Sequence, residues 1–217
     1  MKNTRKAFTL IEMLVVIGII GALMAASIGG YSAITKAAQR ARLRELVSNT
    51  STALIAYFQD HGSWPKAFLN AYDGGDGLID QRVGFLLARR SYPDGRVEGY
   101  MSLAVKYNGP TPMGLMGVDR LGVVSPWAID AIKRSGDSAT PDTPVSTGGK
   151  VQDHILHFAI DVDGDGITEA KVGGQGIKIR APAAVWSAGR DGKMERYSRG
   201  SLKDDVYSWT KGQTQGM

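Results

Sequence analysis

Phe8-Thr9-Leu10-Ile11-Glu12-Met13-Leu14-Val15-Val16-Ile17-Gly18-Ile19-Ile20-Gly21-Ala22-Leu23-Met24-Ala25-Ala26 is the stretch on which the reading of this chain turns. An apolar run of about 20 residues is long enough to span a bilayer as a helix. Glu12 is the only charge between Phe8 and Thr35. A carboxylate inside such a helix costs about 2.5–3.5 kcal/mol on insertion scales, so one held near the start of the run implies something that meets it. Ahead of the run, Lys2, Arg5 and Lys6 make a short basic segment. Positive residues on that side favour a cytoplasmic N-terminus and export of everything that follows.

Working outward, Ile34, Ala37, Ala38, Ala41, Leu46, Val47, Leu54, Tyr57 and Phe58 recur at a spacing of three to four residues. Lys36, Arg40, Arg42, Arg44 and Glu45 lie among them as the wet side. The pattern predicts one long helix that changes solvent partway, apolar all round at first and amphipathic afterwards. It contains Gly18, Gly21, Gly29 and Gly30, and the last two form the one pair expected to loosen it. Gly62 and then Pro65 predict its end near Asp60 to Pro65.

The run from Ala7 to Ala26 resembles the N-terminus of type IV prepilins and of the pseudopilins of type II secretion systems. The resemblance implies that a membrane-embedded prepilin peptidase removes residues 1–7, cuts between Ala7 and Phe8, and N-methylates Phe8. Ala7 stands where the family usually has glycine, and it is small enough for processing to proceed. Glu12 then becomes the fifth mature residue. The resemblance implies that it pairs with the amino terminus of Phe8 on a neighbouring subunit, where low dielectric strengthens an opposite-charge pair. The segment Tyr57-Phe58-Gln59-Asp60-His61-Gly62-Ser63-Trp64-Pro65 is also similar to the sequence that follows the helix in major pseudopilins. The competing readings are an ordinary secretory signal cut near Ala25-Ala26-Ser27, or a plain membrane anchor.

Composition narrows the classes. The 217 residues allow one anchored domain or a modest domain with an insertion. The net charge is +5, and removing Lys2, Arg5 and Lys6 lowers it to +2, so the basic balance is mostly a sorting signal and nucleic acid is not an expected partner. Cysteine is absent, which excludes disulfides and thiolate metal sites. For an exported domain rich in glycine, aspartate-bound metal is the usual substitute for disulfide bracing.

Residues 66–133 are hard to read, with short apolar pieces at Val83 to Leu87, Val97 to Val105 and Leu121 to Ile132 between Gly and Pro turns. Arg134 to Lys150 has the composition of an exposed flexible loop. Strands are predicted at Val151 to Ile160, Ile167 to Val172, Ile177 to Ala181 and Ala184 to Ser187. His154 and His157 fall on opposite faces of the first strand, so they form no paired metal site and read as surface or interface histidines. No phosphate-cradling glycine motif and no convincing Ser/His/Asp set is present.

Two aspartate clusters are candidate calcium sites. Asp161-Val162-Asp163-Gly164-Asp165-Gly166 opens like a calcium loop, with Asp161, Asp163 and Asp165 as ligands. Val172 occupies the twelfth position, which excludes an EF-hand, and Glu169 is at the ninth. The alternative is an Asp/Gly-rich hairpin turn without metal. The second cluster, Trp186-Ser187-Ala188-Gly189-Arg190-Asp191-Gly192 followed by Asp204-Asp205-Val206, is similar to the C-terminal loop of major pseudopilins. That resemblance implies calcium held by Asp191 and Asp205, with Asp204 and the carbonyl of Ala188 as further ligands. Lys193, Arg196, Arg199 and Lys203 in the intervening segment make direct salt bridges the alternative.

The expected fold is α+β, a long N-terminal helix packed on a C-terminal antiparallel sheet. The divisions are a leader at 1–7, a membrane and filament-core half-helix at 8–30, an amphipathic half at 31–61, a variable region at 62–150 and a sheet with its C-terminal loop at 151–217. The implied role is a structural subunit of a pseudopilus or pilus-like filament, with no chemical step. Its implied partners are copies of itself, minor pilin-like subunits, the prepilin peptidase, the membrane and the inner-membrane assembly platform. Its expected place is the inner membrane, single-pass, with the C-terminal domain periplasmic, and then the filament. The other class is a membrane-anchored or secreted ligand-binding or hydrolase domain.

Overall fold

The computed structural model describes residues 9–88, 90–91, 97–101, 122–135, 138–194 and 204–215. Ala7, Phe8 and the leader lie outside them. Two compact units divide between Gln39 and Arg40. Helix α1 is Leu10–His61. In the first unit the described large apolar side chains are exposed, Leu10 by 84 %, Ile17 by 65 % and Ile34 by 69 %. The Gly29-Gly30 pair stays helical. Among the described residues no helix is long and apolar enough to cross a membrane. The described side chains of the apolar run stop at Met24, whereas the sequence stays apolar through Ile28 with only Ser27 interrupting it.

In the second unit, α1 buries Leu43, Val47, Thr50 and Leu54. Their spacing of four, three and four residues lines one face of a helix. The helix stops where Gly62 takes φ +67° and its N–H donates to the Phe58 carbonyl at 2.8 Å. The chain then turns through Trp64, whose ring stacks on Phe58 with centroids 4.9 Å apart and whose Nε1 donates to the Asp161 carbonyl at 2.7 Å. Helix α2 (Lys66–Ala71) buries Phe68 edge-on to Phe158.

The middle region contains more regular structure than its sequence signalled. Strands β1 (Tyr72–Asp73) and β2 (Asp76–Leu78) form a hairpin. Helix α3 (Gln81–Leu87) starts where the Asp80 carboxylate accepts from the N–H groups of Arg82 and Val83. Strands β3 (Arg90–Ser91) and β4 (Val97–Glu98) pair antiparallel. Helix α4 (Pro126–Ser135) opens on proline, as suits a first helical position. Residues 102–121, which include the last four residues of the Val97 to Val105 piece, lie outside the description.

Strands β5 (His157–Ile160), β6 (Thr168–Val172), β7 (Gln175–Ile179), β8 (Ala183–Ser187), β9 (Val206–Tyr207) and β10 (Thr214–Gln215) complete the unit. One antiparallel sheet runs β1-β2-β5-β8-β9 and a second runs β10-β7-β6. The period of two along β5 and β8 sends alternate side chains to opposite faces. Phe158, Ile160, Ala183 and Val185 join the core under α1, while Ala159, Ala184 and Trp186 join a second core against β6 and β7. This is why β8 is buried at every position. The α+β architecture matches the expectation.

Three local expectations differ from the structure. Val151–His154 is a 3-10 turn, with the strand starting only at His157, because the Lys150 N–H donates to the Asp153 carboxylate at 2.8 Å and winds the chain. His154 is therefore not a surface residue: it is fully buried. The stretch Arg134 to Lys150, read as a loose linker, is ordered where it is described. Arg134 and Ser135 end α4, residues 138–150 fold back through bonds from Val151 N to Thr143 O and from Val145 N to Gly149 O, and Val145 enters the core.

Candidate functional site

The start of α1 is built around Glu12. Its Oε2 accepts from both the backbone N–H and the hydroxyl of Thr9, each at 2.8 Å, while the Glu12 N–H donates back to the Thr9 hydroxyl at 3.4 Å. This reciprocal arrangement is a capping box, which satisfies donors that a helix start leaves open. Thr9 was missed in the sequence reading, although Thr-x-x-Glu ahead of an apolar run is its signature. In the isolated chain the carboxylate thus has a local partner, and it stands at the start of a helix whose other side chains from Leu10 to Met24 are apolar.

The loop between β5 and β6 gathers Asp161, Asp163 and Asp165. One carboxylate oxygen from each lies within 4.8 Å of the others, and this is the one such grouping of three among the described residues. Asp161 is buried, and its two oxygens accept from the N–H groups of Gly164 at 2.7 Å and Gly166 at 2.8 Å. Asp165 accepts from the Ile167 N–H at 2.7 Å. The turn closes on these bonds alone, while each carboxylate oxygen keeps a second lone pair for a cation. Tyr72 senses the cluster: burial raises its phenol pKa, and the charges of Glu169 and Asp163 raise it further.

At the C-terminal loop, Gly189 has φ +68° and packs so closely that an added Cβ would lie 2.5 Å from the Asp204 carbonyl. Asp204 accepts from the Arg190 N–H at 2.7 Å, and Asp191 accepts from the Lys193 N–H at 3.0 Å. Asp205 is 8 % exposed and accepts from the Tyr207 hydroxyl at 3.1 Å. Ala188 is buried beside Ser187, whose hydroxyl oxygen is buried without a hydrogen-bond partner. Ser187 stands opposite Val206 in the β8–β9 pair, next to Asp205 in sequence. Unlike Asp161, Asp163 and Asp165, the carboxylates of Asp191, Asp204 and Asp205 do not bring three oxygens within 4.8 Å of one another, so the structure does not gather the ligand set that the resemblance implied.

The structure also contains a serine–histidine pair that sequence spacing hid. Ser125 Oγ lies 3.1 Å from His154 Nδ1, and His154 Nε2 lies 2.9 Å from the Gly148 carbonyl. A carbonyl only accepts, so Nε2 carries a proton and donates to it, while Nδ1 shares a hydrogen bond with the serine hydroxyl. Ser125 and His154 are both 0 % exposed, so no substrate reaches this serine. His157 pairs with Asp76 at 2.7 Å and stacks on Trp186.

A family profile described as the prokaryotic N-terminal methylation motif matches residues 2–28. The chain is 38 % identical over 66 residues to the type IV major pilin protein PilE of Neisseria gonorrhoeae, which covers 30 % of this chain and 40 % of that protein. A fimbrial protein of Neisseria meningitidis serogroup A is 37 % identical over 66 residues, covering 30 % and 39 %. Fimbrial protein EcpC of Eikenella corrodens is 35 % identical over 65 residues, covering 30 % and 42 %. The chain thus spans about two fifths of the length of these relatives. No solved structure matches. With the methylation motif at its start and a long helix followed by antiparallel sheet, the chain is similar to type IV pilins and fimbrial proteins over the part of its length that they match.

Proposed function

We propose that this chain is the structural subunit of a type IV pilus-like filament, assembled from the inner membrane and without catalysis. The observation that carries the reading is Glu12, a single carboxylate on an otherwise hydrocarbon helix start whose apolar side chains are all exposed. Exposed apolar surface of this extent calls for a bilayer or for neighbouring helices. Prepilin peptidase cuts between Ala7 and Phe8 and methylates the new amine. Glu12 then exchanges its Thr9 bonds for the Phe8 amine of the next subunit, and the helices from Leu10 to Ile28 pack as the filament core. Copies of itself, minor pilin-like subunits and the inner-membrane assembly platform are the partners, and the domain beyond the helix is periplasmic.

Within this class the Ser187-to-Asp205 loop favours a type II secretion pseudopilus, with calcium clipping two chain segments through Asp191, Asp204, Asp205 and the Ala188 carbonyl. Asp161, Asp163 and Asp165 are the weaker second site. A surface pilus is the second reading, favoured because the relatives are named pilins and fimbrial proteins. A hydrolase reading loses its support with the burial of Ser125.

The test is mass spectrometry of the N-terminal peptide from native membranes, with and without the prepilin peptidase. Peptidase-dependent N-methylated Phe8 is expected. A terminus near Ser27 would overturn the assembly role of Glu12. Deletion of the gene then separates the two filaments: loss of exported enzymes marks a pseudopilus, and loss of surface fibres marks a pilus.

A further inference from the structure

The cations that follow the apolar run have no role in that reading. In sequence, Lys36, Arg40, Arg42 and Arg44 fall within nine residues, and Glu45 is the only acid between Glu12 and Asp60. Four bases less one acid leave +3 in this short segment. Arg42 and Arg44 are exposed, and neither has a hydrogen-bond or ion-pair partner among the described residues. Arg40 is half-buried and has contacts of its own. Arg42 and Arg44 flank Leu43, which is fully buried. Residues two apart on a helix leave it on opposite sides, so the free cations project to both flanks of the buried stripe. A cationic patch on one flank would suit one protein partner; cations on both flanks suit a surrounding anionic layer.

We infer that Arg42 and Arg44, with the cations upstream of them, form a collar that binds anionic phospholipid headgroups of the leaflet from which the domain emerges, before the subunit is taken into a filament. The inference rests on the reading that the start of α1 is membrane-embedded. Chain connectivity then brings the segment after the apolar run towards the headgroup layer, Lys36 first and Arg42 and Arg44 about two turns farther along α1, where tilting of the helix lowers them to the surface. Once residues 1–7 are removed, no other cation precedes Lys36. Each lysine or arginine near an anionic surface favours the bound state about fivefold, and the attraction is lost within a Debye length of about 10 Å at 0.1 M salt.

The chain has no cysteine, so Ala41→Cys in the full-length protein gives a single nitroxide-labelling site on the exposed side of α1. Its depth is read from collisions with aqueous and lipid-soluble relaxants, in vesicles of phosphatidylcholine alone or mixed with phosphatidylglycerol. The expected result is a shift of the label towards the headgroups only when phosphatidylglycerol is present. Raised salt should reverse the shift, and Arg42→Gln with Arg44→Gln should abolish it. The same depth in both lipids would overturn the inference, as would a shift that tracks protein density, which would assign the collar to a second copy. Carbonate washing keeps the two readings apart. Retention in both vesicles with no lipid-dependent shift defeats only the collar, whereas release from both defeats the membrane reading and the collar with it. The salt reversal on the wild-type side chains stands even if the double variant misfolds.

Discussion

Ser125 Oγ and His154 Nδ1 lie 3.1 Å apart in a place that water does not reach, and they join the loop before α4 to the 3-10 turn before β5. The imidazole's other nitrogen holds the Gly148 carbonyl, so one side chain ties three segments together. Ser125→Ala leaves a buried ring nitrogen without its partner, which costs about 1–3 kcal/mol. Chemical denaturation of the full chain in detergent should show that loss, and an unchanged midpoint would remove the pair from the account of stability.

Glu12 serves the helix start and, in the proposed filament, the neighbouring amine, and two substitutions separate the roles. Glu12→Gln keeps an oxygen that can accept from Thr9 but loses the charge. Glu12→Leu loses both. Cleavage before Phe8 should survive each change, since the cut site is unaltered. Filament formation, read by shearing and immunoblot, should fail in both. Normal filaments from Glu12→Gln would show that charge pairing does not drive assembly.

Gly189 is a position where glycine is required twice over. Its φ of +68° costs alanine about 1–2 kcal/mol, and the Cβ would also press on the Asp204 backbone. Gly166 has φ +80° with open space around it, so it suffers only the first effect. Gly189→Ala should therefore lower Tm more than Gly166→Ala. At about 2–4 °C per kcal/mol for a chain of this size the difference is measurable. Equal drops would mean that Asp204 gives way.

The legibility of this fold follows the source of each element's stability. Helix α1 was readable because Leu46, Val47, Leu54, Tyr57 and Phe58 recur near helical spacing and because Gly62 and Pro65 punctuate its end. Strands β6 and β7 were nearly so, since Gly173-Gly174, both at positive φ, make the two-residue turn that fixes Val172 opposite Gln175. Helices α2 and α3 are too short to hold on propensity alone and depend on burying Phe68, Val83 and Leu87, which no local pattern announces. Residues 138–150 misled for the opposite reason: their Thr, Pro and Gly satisfy turn hydrogen bonds that composition alone reads as disorder. The candidate sites were readable as residue types. Thr9, the partner that holds the Glu12 carboxylate in the isolated chain, was not singled out, although it belonged to a recognisable spacing.

The two acidic loops can be told apart by calcium itself. A ligand at about 100 times its Kd stabilises the folded chain by about 2.7 kcal/mol, so chelation should lower Tm if either loop binds. Asp205→Asn should remove the chelator's effect if the C-terminal loop is the site, whereas Asp163→Asn should do so if the β5–β6 loop is. A melting temperature indifferent to calcium in the wild-type chain would assign both loops to hydrogen-bonded turns.

The alkaline limit of stability should be set in part by two tyrosines. Burial raises the Tyr72 phenol, with the charges of Glu169 and Asp163 adding to it. Tyr100 is pushed up to about 12, first by burial and then by the hydrogen bond and charge of Asp60 and the charge of Tyr57. Both groups are neutral when protonated, and in an unfolded chain they ionise near pH 10. Below that pH both states keep the proton and stability is flat. Between about pH 10 and 12 the unfolded chain gives up protons that the folded one retains, so stability falls as pH rises. Tyrosinate absorbance should show two late-ionising phenols that appear together with unfolding. The Tyr72→Phe and Tyr100→Phe chain should lose the part of the alkaline slope that they cause. Ionisation of both near pH 10 in a still-folded chain would show that neither phenol is held back.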